Sequence, residues 1–363
     1  MRRKRPSFVN ILSILNKILL CFVVLILLSM LVSAFSYAAS IPAKGYHTRT
    51  SLEVNPGGSK CFDGSSWHYK LRRLQVSKVK DALELGGTDP KSLIFTDQYP
   101  NDKFIWKPQL PISKGHFASA QNEVFVFHVD CLLELKRTPP ATLYQLDFNR
   151  LQLSLGSSSK SIYEERAADL WDSWRNQAYI EGTVQYFWEG VHHIDRKTEV
   201  FLKILSRRTG IVGIKIKNFL FYLFGGTSTG IREYSQRDML DYITGNWDRS
   251  HNQFYTHDHT RGTAEIIYLD HNHLSTNKKC KEVFQLVYCK FWESSIDRLR
   301  DQVQNGNLTT TVTNSLNKYE PEFRTDHPKL IAPLKCLQAR AEKFLEYVDK
   351  CVEKHGYAYV FYD

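Results

Sequence analysis

Short apolar and aromatic runs predict strands, most of them in the first half of the chain. KFIWK, from Lys103 to Lys107, is closed by Pro108, and a β-prone run bounded in this way is typical of a strand. IEGTVQYFW, which begins at Ile180, and EIIYLD, which ends at Asp270, have the same character. We therefore expect a strand-rich first part and one further strand near residue 268.

Apolar residues spaced three and four apart predict helices elsewhere. Three helices are predicted, and the second of them along the chain begins at a capping box of Ser235 and Asp238 and stops at Gly245. A third follows Pro333 and ends at Gly356, a natural C-cap. The first helix lies in QNEVFVFHVDCLLELKR, and its predicted buried face is Val124, Phe127, His128, Cys131, Leu132 and Leu135. The third has the stripe Leu334, Leu337, Ala341, Phe344, Leu345, Val348 and Val352.

The order of these elements predicts the domain organisation. Strands with one inserted helix come first and helices follow, and this partial segregation is typical of an α+β fold with two lobes. We place the two lobes at residues 76–190 and 191–363. Residues 40–75 contain NPGGSK and DGSS, which favours a polar stem before the first lobe.

The N-terminus has the pattern of a membrane anchor. ILLCFVVLILLSMLVSAF carries no charge and is close to the length that crosses a bilayer as a helix. The basic flank MRRKR predicts a cytosolic tail over residues 1–17 and a type II transmembrane helix over residues 18–39. A signal peptide cleaved near Ser36 and Ala38 is the alternative. Either arrangement places the rest of the chain in the secretory lumen.

Net charge excludes one class of partner. Five of the formal +10 charges belong to the N-terminal segment, which leaves a surplus near +5 in the remainder. No run of lysine or arginine follows a nucleic-acid backbone. We therefore expect no DNA or RNA partner.

Cysteine usage agrees with an oxidising compartment. Cys21 lies in the apolar segment, and the absence of a CxxC pair argues against a zinc site built on thiolates. An even number of luminal cysteines suggests disulfides, although six allow fifteen pairings and Cys131 could simply be buried in its helix. The six are Cys61, Cys131, Cys280, Cys289, Cys336 and Cys351. The sequon Asn307-Leu308-Thr309 is a candidate glycosylation site.

Three groups of residues could hold a nucleotide. Gly86 and Gly87 allow backbone amides to approach phosphate oxygens, and Lys91 adds a cation. Lys107 lies on the predicted strand KFIWK, and Glu123 lies at the start of the helix that follows it. A strand lysine paired with a helix glutamate positions the nucleotide in kinases. Taken singly, these residues are also typical of a turn, a surface lysine and a first-turn glutamate.

Two aspartates supply the remaining chemistry of phosphoryl transfer. Asp248 follows the helix that ends at Gly245, and Asp270 ends EIIYLD. Phosphoryl transfer needs one carboxylate beside the attacking hydroxyl and another on the metal that bridges the phosphates. Asp248 and Asp270 have the order and topology of a kinase catalytic loop and its metal-binding aspartate.

The sequence resembles the secretory-pathway kinases over about residues 80–300. That group includes the Golgi casein kinase, the glycosaminoglycan xylosylkinase, the Golgi-associated kinases and four-jointed. The motifs that carry the resemblance are GGTDPK, FIWKP, NEVFVFHVDCLLELKRTPPA, IEGTVQYF, DYITGNWDR and IIYLD. The resemblance implies a bilobal atypical protein-kinase-like fold in the Golgi lumen or secreted fluid.

The resemblance also implies residue roles. Lys91 and Lys107 would hold the phosphates of ATP, and Glu123 would support the lysine or the metal. Asp248 would be the catalytic base and Asp270 the ligand of Mn²⁺ or Mg²⁺. Acceptors would be serine or threonine of secreted or luminal proteins, or a sugar hydroxyl, and a dimer with itself or with a related kinase stays open.

Two departures from the family pattern leave other functions open. The chain has Asp270-His271-Asn272-His273 where relatives have Asp-Asn and then glycine, and Asn252 and Gln253 lie four and five residues beyond Asp248. A second metal could therefore be missing, which would suit a pseudokinase. A metal-dependent hydrolase is the other alternative, with Asp270 and two histidines as ligands. The residues near it that could ligate a transition metal are Asp258, His251, His257, His259, His271 and His273.

Overall fold

A computed structural model describes most of the predicted luminal part of the chain. The residues it describes are 61–82, 91–109, 120–155, 177–187, 192–193, 228–247, 253–258, 263–269, 271, 274–275, 280, 286, 289–323 and 328–362. No helix among them is both long enough and apolar enough to cross a bilayer. The predicted anchor at 18–39 lies outside them and stays a prediction.

The first part of the fold is a five-stranded antiparallel sheet with strand order β1-β2-β3-β5-β4. Its strands are β1 (Lys78–Asp81), β2 (Ser92–Phe95), β3 (Lys103–Pro108), β4 (Ala141–Asp147) and β5 (Tyr179–Phe187). Helix α1 (Trp67–Arg72) precedes the sheet, α2 (Ala120–Leu132) connects β3 to β4, and α3 (Phe148–Ser154) follows β4. The predicted strands at 103–107 and 180–188 are thus β3 and β5.

The second part is mainly helical. Its helices are α4 (Ser228–Thr244), α5 (Glu293–Asp301), a π-helical turn (Gln302–Gly306), α6 (Leu308–Tyr319), α7 (Pro328–His355) and α8 (Tyr357–Val360). Strands β6 (His192–His193), β7 (Gln253–Asp258) and β8 (Thr263–Tyr268) form a small antiparallel sheet. Strands β9 (Phe291–Trp292) and β10 (Phe361–Tyr362) pair in parallel. The order of sheet and then helices confirms the α+β prediction.

Helix α2 lies between the two parts of the fold. Every residue from Ala120 to Cys131 is buried, and its apolar side chains share one core with Met239 of α4 and Phe344 of α7. The predicted face of α2 is therefore only part of its buried surface, because the sheet covers one side of the helix and the second part covers the other. A second core under the sheet joins Trp106 and Val184 to Leu71 of α1.

Residues 61–74 are packed rather than stem-like. Ser66 caps α1 by accepting from the Tyr69 amide at 3.2 Å, and Leu71 and Leu74 are buried. Cys61 is bonded to Cys131. The folded region thus begins earlier than the polar composition of residues 40–75 predicts.

Three disulfides connect segments distant in sequence. Cys61 is bonded to Cys131, so of the two possibilities for Cys131 the disulfide is the one that the structure has. The other two pairs are Cys280–Cys336 and Cys289–Cys351. Both fasten α7 to the chain between β8 and α5. Such cross-links persist in oxidising compartments.

Two predicted helix starts are wrong. Helix α4 begins at Ser228 rather than Ser235, and the buried Ser235 Oγ accepts from the Trp292 amide of β9 at 3.3 Å instead of capping a helix. Helix α7 begins at Pro328 and contains Pro333 in its interior. The predicted ends are confirmed, because Gly245 and Gly356 follow their helices with φ of 82° each.

Candidate nucleotide and metal site

A strand lysine and a helix glutamate form an ion pair that joins the sheet to α2. Lys107 lies near the end of β3, and Glu123 lies in the first turn of α2. Lys107 Nζ is 2.5 Å from Glu123 Oε1. The lysine side chain is 15% exposed and that of the glutamate is fully buried. The ammonium is therefore accessible from one side only, while the carboxylate lies behind it.

Hydrogen bonds from the sheet fix the start of α2. Thr183 of β5 pairs with Lys107 across the ladder, and its Oγ1 donates to the Ala120 carbonyl at 2.7 Å. The Gln121 amide donates to Gln109 Oε1 at 3.4 Å. Because α2 is tied to the strand that carries the lysine, the distance between Lys107 and Glu123 is set by backbone elements rather than by side-chain flexibility.

One oxygen of Glu123 is left without a partner. Glu123 Oε2 is buried and accepts no hydrogen bond from the residues that the structure describes. Burying an unpaired carboxylate oxygen costs free energy unless a donor or a cation satisfies it. Mn²⁺ and Mg²⁺ favour carboxylate oxygens. The donor set at this position therefore fits a divalent cation.

Lys91 is at the same end of the sheet as Lys107. It directly precedes β2, where Ser92 pairs with Trp106, the neighbour of Lys107. Gly86 and Gly87 lie in the connection between β1 and β2, outside the described residues. The topology thus brings both lysines to one edge of the β2–β3 pair, and the role of the two glycines stays a prediction.

Asp248 and Asp270 also lie outside the described residues, but described residues on either side of them are paired with each other. Gln253 of β7 pairs with Tyr268 of β8, and an isolated antiparallel bridge joins Asn246 to Leu274. His257 and Asp258, two candidate ligands of the alternative hydrolase, lie on strand β7, which pairs with β8. Helix α4, the β7–β8 pair and Leu274 therefore flank the two aspartates along the chain, and the roles of Asp248 and Asp270 stay predictions.

Buried polar contacts support the loop after α4. The Gly245 and Asn246 amides donate to the Asp241 carbonyl at 2.9 and 2.8 Å. Arg340 of α7 is fully buried, and its Nη1 donates to the Thr244 carbonyl at 3.2 Å. Burial lowers the pKa of Arg340 to about 10, so the guanidinium keeps its charge at neutral pH beside the negative end of the α4 dipole.

His271 occupies the position after Asp270, and it is buried. Its Nε2 lies 2.9 Å from the Tyr268 carbonyl, so this nitrogen carries the proton and donates. Because His271 Nε2 faces a backbone carbonyl rather than another ligand group, it is not among the ligands of the alternative hydrolase site in this structure. The side chains of the other histidines in that alternative lie outside the described residues.

A second cluster of titratable groups was not predicted from the sequence. His68 of α1, His128 of α2 and Glu320, which follows α6, are all buried. His68 and Glu320 are 252 residues apart, and no local motif joins them. Burial raises the pKa of Glu320, but the neighbouring imidazoles of His128 and His68 outweigh this and lower it to about 2. Burial lowers the pKa of His128.

The sheet with α2 between its third and fourth strands, the lysine–glutamate pair and the helical second part together define a protein-kinase-like fold. Solved structures share this fold, among them the following three. Hydra Fam20 with sugar is 14% identical with a TM-score of 0.55, over 80% of this chain and 89% of that chain. The Golgi casein kinase is 17% identical with a TM-score of 0.54, over 81% of this chain and 78% of that chain.

The third structure is the Golgi casein kinase with Mn and ADP bound, which is 16% identical with a TM-score of 0.56 over 81% of this chain and 78% of that chain. No protein-family model matches the sequence, and no curated protein matches it either. The resemblance to secretory-pathway kinases is therefore confirmed at the level of fold.

The sequon at Asn307 is presented in a way that predicts early glycosylation. Asn307 is exposed at the start of α6, whereas Thr309 Oγ1 donates to the Leu334 carbonyl at 3.1 Å. The hydroxyl that a transferase needs is thus engaged once α7 has packed. We expect glycan addition during synthesis, visible as a glycosidase-sensitive mobility shift that Asn307→Gln removes. Asn305→Gln, in the same exposed turn, should keep the shift; an unshifted wild type would contradict the prediction.

Proposed function

We propose that the chain is an ATP- and divalent-metal-dependent phosphotransferase of the secretory pathway that phosphorylates serine or threonine of secreted or luminal proteins. The observation that carries this proposal is the Lys107–Glu123 ion pair at the interface of a kinase-like fold. Lysine on the third strand paired with glutamate on the following helix is the kinase device for placing nucleotide phosphates. The three disulfides support a luminal setting.

Each residue of the proposed site has a separate task. Lys107 binds phosphate oxygens of ATP and is oriented by Glu123, and Lys91 adds a second cation at the same sheet edge. Gly86 and Gly87 bring backbone amides to the phosphates. Asp270 and Glu123 Oε2 hold Mn²⁺ or Mg²⁺, which when bound neutralises charge on the β- and γ-phosphates.

The acceptor hydroxyl is activated on the other side of the phosphates. Asp248 accepts the proton of the acceptor hydroxyl while the hydroxyl oxygen attacks the γ-phosphorus. The bond from the γ-phosphorus to the oxygen that leaves with ADP breaks. Hydrogen bonds made by Asp241, Asn246 and Arg340 hold the backbone in place at the end of α4, just before Asp248. A positioned general base typically contributes about 100-fold or more to the rate.

A sugar hydroxyl is a second candidate acceptor. The observation that favours it is the fold similarity to hydra Fam20, a structure with sugar bound. Transfer to a protein acceptor or to a sugar acceptor distinguishes the two candidates by experiment. We place the enzyme at the Golgi membrane through the predicted helix 18–39, with release by cleavage as the alternative.

The test is transfer of label from γ-labelled ATP by the full chain with Mn²⁺. Dephosphorylated casein and a xylose-containing linker oligosaccharide serve as the two acceptors. We expect transfer to one of them, and Asp248→Asn should reduce it by roughly 100-fold or more while nucleotide binding persists. Asp297→Asn, at an exposed aspartate of α5, should change nothing.

The outcomes separate the alternatives. Binding of ATP without transfer to any acceptor would overturn the enzyme proposal in favour of a pseudokinase. Absence of both binding and transfer would overturn nucleotide chemistry altogether. Label transfer that survives Asp248→Asn would show that another residue accepts the proton.

A further inference from the structure

The buried cluster of His68, His128 and Glu320 brings three metal-ligand side chains together. One donor atom from each residue lies within 4.8 Å of the donor atoms of the other two. His68 Nε2 is 2.5 Å from Glu320 Oε1. The two side chains of this pair are 3% and 0% exposed, and His128 is fully buried. The cluster is therefore closed to solvent.

In two residues of the cluster, the polar atom that faces away from the other ligands is hydrogen-bonded, as is usual for metal ligands. His128 Nδ1 is paired with Ser315 Oγ at 2.8 Å, whereas His128 Nε2 is buried without a hydrogen-bond partner among the described residues. Glu320 Oε2 accepts from Thr142 Oγ1 at 2.9 Å and from the Leu143 amide at 3.4 Å. Such outer hydrogen bonds orient ligating histidines and carboxylates toward an ion.

We propose that His68 Nε2, His128 Nε2 and Glu320 Oε1 bind one structural Zn²⁺, separate from the nucleotide site. Two imidazoles and one carboxylate are ligands that zinc favours, and a water enclosed with the ion would complete the tetrahedron. Zinc ligand bonds of about 2.0–2.2 Å place neighbouring donor atoms about 3.3 Å apart. His68 therefore withdraws slightly from Glu320, and the proton that His68 Nε2 donates to the Glu320 carboxylate leaves as the ion enters.

The site joins three parts of the fold at one point. His68 belongs to α1, His128 to the C-terminal half of α2, and Glu320 to the end of α6. Phe62 covers the cluster, stacking on Tyr319 at 4.4 Å with its ring 4.5 Å from that of His128. Since α2 also carries Glu123, the ion stabilises the helix that positions the nucleotide lysine without contacting the nucleotide.

The test measures zinc in the full chain, purified through a tag that contains no histidine. Mass spectrometry of the elements should find one zinc per chain after dialysis against a weak chelator. Cobalt substitution should give the visible absorption of a tetrahedral site. A strong chelator should lower the thermal unfolding midpoint of the wild type by several degrees, because an ion that binds only the folded state stabilises it.

Matched variants assign the ion to the cluster. His128→Gln should lose the zinc and the chelator sensitivity, whereas His355→Gln on α7 should keep both. A double variant, His257→Gln with His259→Gln, controls for the histidine-rich hairpin and should also keep both. If His128→Gln does not fold, the same measurements on His68→Gln, together with the tetrahedral cobalt spectrum of the wild type, test whether the cluster binds zinc.

Three results would overturn the site. They are a wild type without stoichiometric zinc, a cobalt form without the tetrahedral spectrum, and zinc that is lost from the hairpin double variant but retained by His128→Gln. In each of these cases the cluster is a hydrogen-bonded network only.

Discussion

Lys107→Met should abolish phosphoryl transfer and also lower the free energy of unfolding by about 3–5 kcal/mol. Both effects come from the same 2.5 Å contact with Glu123. Without the ammonium, ATP phosphates lose a cation, and the fully buried Glu123 carboxylate loses its counter-charge. Removing one partner of a buried ion pair is costly because the other stays desolvated and unpaired.

A second substitution separates the two effects. Glu123→Gln in the Lys107→Met background removes the orphaned charge, so it should recover most of the lost stability but none of the activity. Denaturant unfolding and label transfer from ATP measure the two quantities on the same samples. Lys354→Met, at an exposed lysine of α7, should alter neither.

Two results would contradict this expectation. If Lys107→Met keeps full transfer activity, the lysine does not bind phosphate. If the double variant is as unstable as the single one, the ion pair is not the cause of the instability. The second result would leave the proposed function intact, because it concerns the packing of α2 and not the nucleotide.

The strands that carry the site were predictable from local pattern. β3 and β5 are short β-prone runs with clear boundaries, and the lysine on one of them lies 16 residues before the glutamate of α2. A lysine and a glutamate this close in sequence, one on a strand and one on the next described helix, form a motif that is visible in sequence. The glycines at the ends of α4 and α7 were equally visible, because a positive φ is what glycine provides at a helix end.

The misplaced helix starts depended on distant contacts. Ser235 has the pattern of a cap, but its hydroxyl accepts from Trp292 across the fold. Pro333 is a usual helix start, yet α7 continues through it. A proline in a helix interior removes one hydrogen bond, and the buried residues from Leu334 to Cys351 outweigh that cost. Local rules cannot include either effect.

The residues of the candidate site also differ in whether a local sequence pattern could identify them. Lys107 and Glu123 were found because both lie in motifs that resemble a kinase, and the placement of Asp248 and Asp270 rests on the same resemblance. The cluster of His68, His128 and Glu320 had no such signal, since its members come from three separate elements. Disulfide connectivity was hidden for the same reason, because spacing alone does not choose among fifteen pairings.

Gly245→Ala should destabilise the fold more than an ordinary glycine substitution, because two costs add at this position. Gly245 has a φ of 82°, where an L side chain costs about 1–2 kcal/mol. A Cβ here would also lie 2.6 Å from Arg340 Cζ and 3.0 Å from its Nη2. Forcing the buried guanidinium aside should cost about 1–3 kcal/mol more.

Gly356 provides the matched control, because it has the same φ of 82° with nothing within 4 Å of an added Cβ. Gly356→Ala should therefore show the backbone cost alone. Adding Arg340→Met should remove most of the extra cost of Gly245→Ala, and the difference in a double-mutant cycle measures the clash. Equal destabilisation by the two glycine variants in denaturant unfolding would mean that Arg340 does not support the loop that leads to Asp248.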